Sequence, residues 1–412
     1  MLKNYFKIAI AVLKRNKFFT FITLFGIACT LMVLMVITAF ADHMFGANYP
    51  EVHADRCLYV MTLSYTDNKR NNRMNTNASY SFLNKYVKSL KTPEKVSITN
   101  ISSTATSYLK NKKFDFALMN TDAEFWEIMK FNFLEGKPYT KEQILNSERV
   151  VVINEETKKS YFGDASAVGK NIVADDVTYK VIGVVKGVPK TRFMTRADIY
   201  APYTSPKSGY ESKSTTGSYH AIVLAKNEKD FKAIEDEYQH NLINAPMPDN
   251  NWDKLSSHAD TFLATFTRMG LGNDDNSGVG NVYIASCILL FLFFLLPTVN
   301  LVNLNISRII ERSSEIGVRK AFGASSGILI IQFIIENIIL TIIGGVIGLL
   351  FTWGILQYIN LSNLIPNIEL KIDLNVLFYG FTLCVAFGIF SGVYPAFKMS
   401  KMQIVKSLKS AS

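Results

Sequence analysis

The sequence predicts a membrane protein: four transmembrane α-helices, with a large α+β extracytoplasmic domain of two lobes inserted between the first helix and the second. Three observations carry this. Four apolar runs, at 18–40, 283–304, 328–359 and 376–394, come close to or exceed the about 20 residues a helix needs to cross a hydrocarbon core of about 30 Å. Basic residues crowd into three short segments beside those runs, and the polar stretch at 41–282 has room for one or two folded lobes. The averages, 49% hydrophobic residues and a mean hydropathy of +0.14, blend two very different compositions.

The first segment, 1–17, contains "LKNYFKIAIAVLKRNK", apolar residues at helical spacing with cations between them. That pattern suits an amphipathic helix lying in the inner membrane interface. The run at 18–40 contains no charge. It is about twice as long as a signal-peptide core, and Gly26 rather than Leu stands three residues before Cys29, which argues against cleavage of either the secretory or the lipoprotein kind.

The domain at 41–282 alternates strand and helix patterns. "CLYVMTLSY" from Cys57 reads as a strand, "YSFLNKYVKSL" from Tyr80 as a helix, and "FDFALMN" as a strand leading into "DAEFWEIMKF", a helix capped by Thr121 or Asp122. "RVVVI", "NEETKKSYFG" and "VTYKVIGVV" give strand, helix and strand, the helix closed by Gly163. "ADIYAPY" and "YHAIVLA" follow as strands, then "EKDFKAIEDEYQHNL" as a helix capped by Asn227. A second lobe is expected at about 131–218, interrupting a first lobe that returns after Tyr219. "GLGNDDNSGVGN" reads as a flexible tether into the second span. Only Cys57 lies outside the spans, since Cys29, Cys287 and Cys384 fall within them, so the domain is expected to hold together without an internal disulfide.

After the span at 283–304 comes a charged inner segment, 305–327, and then the run at 328–359, which is longer than a bilayer requires and tilts or begins in the interface. A short outer loop, 360–375, leads to 376–394, whose end Pro395 suits, and to a tail at 395–412. Lys and Arg orient the chain: five precede the first span, four lie between spans two and three, and four follow span four, which places all three segments and both termini in the cytoplasm. The outer domain holds 30 basic and 29 acidic residues, so the overall charge of +10 is mostly topological and no nucleic-acid binding is expected.

Enzyme signatures fail one by one. "GDASAVGKN" has five residues between Gly163 and Gly169 where a phosphate-binding loop needs four, and Asn171 where it needs a hydroxyl. His43, His53, His220, His240 and His258 include no pair at helical spacing and no Cys partner nearby, so no metal site is expected. No Gly-x-Ser-x-Gly elbow occurs either. Within the third span, Glu336 is costly in lipid and has a structural, an interfacial or an ion-coupling role. Gly344 and Gly348 have the small-xxx-small spacing that serves packing inside one chain or self-association.

The inner segment holds "ERSSEIGVRKAFGAS". A helix there gathers Ile309, Ile310, Ile316 and Phe322 near one side and turns Glu311, Arg312, Glu315 and Arg319 away, with Glu315 and Arg319 paired at i, i+4. It either lies on lipid headgroups or fits a groove in a cytosolic partner.

"SEIGVRKAFGAS" followed by "QFIIENIILTIIGGVIGLL" resembles the coupling segment and third span of the FtsX-like and MacB-like permeases of ABC transporters. "VLKRNKFFTFITLFGIA" is similar to the start of their first span, and "DAEFWEIMKFNFLEGKPY" and "RVVVINEETKKSYFGDASAVGKNI" with "YKVIGVVKGVP" to the MacB-type periplasmic domain. In the closing motif "YPAFKMSKMQIVKSLK", Gln403 and Ile404 replace a common Asp-Pro pair, which leaves the geometry of the last cytosolic helix open. The resemblance implies a permease of the cytoplasmic (inner) membrane that binds no cofactor and performs no catalysis itself. ATP with Mg would sit on a separate cytosolic ATPase, docked through Glu311, Arg312, Glu315, Ile316, Gly317, Arg319, Lys320 and Gly323. It further implies a homodimer or pairing with a sister permease, a periplasmic adaptor and membrane lipid as partners.

Two outputs follow from it: efflux, export or extraction of a periplasmic drug, peptide or lipoprotein, or activation of an external cell-wall hydrolase without transport. The 242 residues at 41–282 and their MacB-like passages favour the first.

Overall fold

A computed structural model describes residues 17–109, 112–274, 276–311, 326–362 and 364–383, with isolated positions at 318, 322, 385, 386 and 389. The chain divides into two compact units. One comprises Asp42–Val282 with Ile365–Ile368, and the other Met1–Ala41, Tyr283–Leu364 and Glu369–Ser412.

The first unit is built on one network of 14 strands. Its main path runs Lys254–Ser256, Thr62–Asp67, Asn72–Ala78, Tyr219–Leu224, Lys95–Asn100, Lys112–Thr121, Ile199–Pro202, Val150–Asn154, Val177–Val185 and Phe133–Gly136. Pairing is antiparallel except where Val177–Val185 lies along Val150–Asn154 and Ile199–Pro202 along Lys112–Thr121. The first parallel pair is the expected strand, helix and strand. Val150–Asn154 is buried throughout, as strands covered on both faces are. The Asn154 side chain then accepts from Thr157 N at 2.8 Å to start the helix Glu155–Phe162, and Gly163, at φ +68°, ends it.

Other helix starts follow the same chemistry. Asp122 rather than Thr121 caps Ala123–Ile128, accepting from Phe125 N at 3.0 Å. Asn227 forms a capping box with Asp230 ahead of Phe231–Leu242. The expected strand from Cys57 is broken at Met61 into Cys57–Val60 and Thr62–Asp67.

Alternation of side chains along each strand distributes the core. Cys57 and Tyr59 enter one cluster with Trp126, Val150, Val152 and Ile222, while Leu58 and Val60 enter a second with Ala221 and Val223. Val151 and Ile153 point into a third, with Ile172 and Tyr179. The first cluster therefore draws on residues before, within and after 131–218.

The second unit holds long apolar helices. Lys17–Phe45 begins there, and Val279–Glu311 and Ser326–Leu361 run through it. Thr20–Phe45 and Ile334–Leu361 are each long and apolar enough to cross a membrane, and Val279–Phe293 and Leu374–Leu383 are shorter apolar helices. The helix Val279–Glu311 continues past residue 304 into the expected inner segment. Hydroxyls inside these helices bond back one turn, Thr30 to Gly26 O at 2.8 Å and Thr352 to Gly348 O at 2.8 Å, so both are satisfied within their own helix.

Candidate functional site

Most of the expected coupling residues, Arg312, Glu315, Ile316, Gly317, Arg319, Lys320 and Gly323, lie outside the described residues, and Glu311 is the last residue of Val279–Glu311. Between them, Val318 and Phe322 are exposed, and Phe322 N donates to Val318 O at 3.1 Å. Glu336 and its neighbour Asn337 are both buried. Gly344 and Gly348 face the first long helix of their own chain. A Cβ on Gly344 would come within 2.8 Å of the Ile27 side chain, and one on Gly348 within 2.8 Å of Ala28 O. Close packing inside the chain thus occupies both glycines. Among the described residues no group of acidic, His and Cys side chains could hold a metal.

A different site emerges in the domain, at the segment that follows the strand Val177–Val185. "KGVPKTRFMTR", residues 186–196, turns back on itself, with Arg192 N donating to Pro189 O at 3.0 Å and Thr195 N to Arg192 O at 3.1 Å. The turn drives Arg192 inward until its side chain is fully buried. There Nη1 donates to Glu51 Oε2 at 2.6 Å and Nη2 to Gly46 O at 2.6 Å, while the Thr195 hydroxyl donates to Glu51 Oε1 at 2.6 Å. Gly46 is the residue immediately after Lys17–Phe45, so the guanidinium binds a carbonyl at the very end of the first long helix. Charged hydrogen bonds of this length are short and directional, and a planar fork fixes the angle between its two partners.

The same segment receives three more ties. The Tyr49 hydroxyl donates to Lys186 O at 2.9 Å and accepts from Asn132 N at 3.3 Å, with the Lys186 ammonium 5.8 Å from the Tyr49 ring centre. Burial, and secondarily the charges of Glu155 and Glu156, push the Tyr49 phenol up to about 12, so it stays a neutral donor. Glu155 accepts from Gly187 N at 3.0 Å. Asn367, in the Ile365–Ile368 segment a few residues past the helix Ser326–Leu361, donates its amide to Glu156. Residues 186–196 and the helix Glu155–Phe162 thus gather the chain that leaves the first long helix and the chain that leaves the third.

The expected flexible tether at 270–281 is instead anchored among its described residues. Asp274 lies 2.7 Å from Arg73 and 3.9 Å from Lys254, and its carbonyl is 2.7 Å from His258 Nε2. Arg268 donates to Asn273 O at 2.7 Å, and Asn276 N to Asn273 Oδ1 at 2.8 Å. The Gly, Asn and Asp content that reads as slack chain here supplies an Asn276 side chain that accepts from Gly278 N at 2.9 Å and an Asp274 carboxylate that meets cations from distant strands.

This anchor borders a cavity of about 110 Å³ lined by Tyr59, Ser64, His258 and Arg268 among others. Ser256 Oγ, His258 and Glu235 are arranged in hydrolase order, with His258 Nδ1 2.7 Å from Glu235 Oε1 and Nε2 3.3 Å from Ser256 Oγ. It is no triad. Nε2 sits closer to the Asp274 carbonyl, an acceptor only, so its proton is committed and the ring is no base for the serine. The hydrogen bond to Glu235 raises the His258 pKa above the ordinary imidazole value, against the opposing effect of burial.

Comparisons with known proteins bear on both units. Residues 20–240, more than half of the 412, match the MacB-like periplasmic core domain, and residues 287–404 match the FtsX-like permease C-terminal region. The chain is 24% identical over 303 residues to the ABC transporter permease YvrN of Bacillus subtilis (strain 168), covering 70% of this chain and 68% of that protein. It is 22% identical over 354 residues to YknZ, another ABC transporter permease of the same organism, covering 85% and 84%. Similarity to the macrolide export ATP-binding/permease protein MacB of Acinetobacter baylyi is 23% over 312 residues, covering 75% of this chain and 44% of that protein. The chain thus spans less than half the length of that MacB relative.

Proposed function

Because this chain belongs to the FtsX-like ABC transporter permeases that carry a MacB-like periplasmic core domain, we propose that it converts ATP-driven movement at the inner membrane face into movement of its outer domain. In this reading four helices span the membrane, both termini are cytoplasmic, and the domain at 41–282 lies outside with 131–218 as a second lobe. A separate ABC ATPase binds Mg and ATP and docks on 305–327. Two copies, or one copy and a sister permease, pair over two ATPases, with a periplasmic adaptor as a further partner.

The observation that carries the proposal is the buried grip of Arg192 on Gly46 O and Glu51. A span that tilts or shifts needs a stiff connection to the domain, and a desolvated, bidentate charge clamp at the helix end supplies one. Asn367 on Glu156 ties the chain that follows the third long helix to the neighbouring helix Glu155–Phe162.

The output we favour is export or extraction of a substrate, a drug, peptide or lipoprotein, from the outer side of the membrane. The large outer domain and the macrolide-export name of a relative support it. The test is an uncoupling variant. Arg192→Ala should leave the ATPase bound and hydrolysing, while a nucleotide-dependent distance change between spin labels on the outer domain disappears. Persistence of that change in the folded variant would remove the clamp from the mechanism.

A further inference from the structure

The helix Phe262–Gly270 carries one apolar face that is buried at its start and open at its end. Phe262 and Ala264 are buried, yet Phe266 is 48% exposed, Met269 67%, and Leu271 just beyond the end 61%. Phe266 and Met269 are three apart, with partly buried Leu263 a further three back, so they form one stripe rather than scattered surface residues. The only charge on the helix, Arg268, is turned aside and held by Asp260 through bonds of 2.6 and 3.0 Å.

The stripe begins beside the last residue of the first long helix. The Phe45 ring lies 5.9 Å from Phe262 and 6.3 Å from Phe266, and Phe193, 39% exposed, lies 5.8 Å from Phe262. Of the ten large apolar side chains exposed on this unit among its described residues, four, Phe193, Phe266, Met269 and Leu271, belong to this patch.

Length says what covers them. Thr20–Phe45 has 26 residues, about 39 Å at about 1.5 Å per residue, against about 30 Å of hydrocarbon and about 40–45 Å with both headgroup layers. Phe45 therefore ends at headgroup depth, close to the acyl boundary where interfacial helices bury Phe and Leu side chains. Exposed Lys190, three residues before Phe193, suits lipid phosphates. We infer that Phe266, Met269, Leu271 and Phe193 dip into the outer lipid interface, so that the domain carries its own membrane footing beside the first span. This rests on reading Thr20–Phe45 as a membrane span.

The test uses the full chain in nanodiscs of phosphatidylcholine brominated on the acyl chains. Trp353, 58% exposed on Ser326–Leu361, reports on the membrane reading itself: without quenching of the native Trp353 that reading fails, and the inference with it. In a Trp353→Phe background, Phe266→Trp should lose at least half of its added fluorescence to lipid brominated close to the headgroup. Leu145→Trp, at a site 75% exposed elsewhere on the domain, should lose little. Equal quenching at the two positions overturns the inference while leaving the span intact. So does shielding of the indole in Phe266→Trp from both bromolipid and aqueous iodide, since a second copy would then cover the stripe. If Phe266→Trp does not fold, a nitroxide on Met269→Cys gives the same reading from its oxygen and nickel accessibilities, with nickel access equal to that of an aqueous site overturning it.

Discussion

Arg192 and Glu51, 141 positions apart in the chain, form a salt bridge of 2.6 Å in which neither side chain reaches solvent. Through its other nitrogen Arg192 also holds Gly46 O, so one guanidinium joins the end of the first long helix to the turn at 186–196.

Removing one partner of such a pair leaves a buried charge without compensation, which typically costs about 3–5 kcal/mol. Arg192→Ala should therefore lower the unfolding midpoint of the detergent-solubilised chain by several degrees. The double variant Arg192→Met with Glu51→Leu should recover much of that loss, because it buries no charge. Recovery of stability without recovery of nucleotide-dependent movement would separate the clamp's mechanical role from its structural one.

Gly187→Ala probes the second tie. The added methyl would meet the carboxylate of Glu156 and the amide of Asn367, both of them ends of flexible side chains. Thermal unfolding should barely change, by less than about 1 kcal/mol, whereas a spin label at Leu364 should become more mobile. An unchanged label spectrum would mean that the Asn367 contact does not hold this loop.

Helix packing gives a sharper contrast. Gly348→Val pushes side-chain atoms into Ala28 of the first long helix and should cost about 1–3 kcal/mol or abolish monodisperse recovery. Gly354→Val is the control, since nothing lies within 4 Å of a Cβ there. Equal recovery of the two variants would contradict the close approach.

Two histidines should give stability opposite pH dependences. His220 is fully buried with neither ring nitrogen partnered, and desolvation pushes its pKa down to about 4. The unfolded chain takes up the proton near 6.5 while the folded one does not, so stability falls as pH drops from about 6.5 towards 4, by up to about 3 kcal/mol. His220→Leu should flatten that limb of the unfolding curve. His258 has a raised pKa from its bond to Glu235, so its contribution is complete below about 6.5 and fades as pH rises through the folded value. His258→Gln should remove this alkaline loss, and a wild-type curve flat on both sides would refute both assignments.

Local chemistry in the sequence carried far. The strand, helix and strand around Asn154 and Gly163 and the cap at Asn227 were readable because each depends on residues a few positions apart. The Arg192 clamp was not, since a lone Arg among Lys, Pro and Thr looks like surface until Glu51 arrives from another part of the chain. The anchored turn at Asp274 was misread for the same reason: its partner Arg73 lies about two hundred residues away. The helix Phe262–Gly270 is legible in pattern, with Phe262, Phe266 and Met269 on one face opposite Ala264, Thr267 and Arg268, but which end of that face the fold leaves open depends on distant residues such as Phe45.

The most direct measurement is affinity purification of the full chain from native membranes, with the copurified ATP-hydrolysing subunit quantified for wild type and for Glu315→Lys with Arg319→Glu. A permease that drives its outer domain from a separate ATPase should bring that subunit down in near-equal amount, and the double variant should lose it while remaining folded in the membrane. Absence of any ATPase from the folded wild type, or its full retention by the double variant, would contradict the proposal.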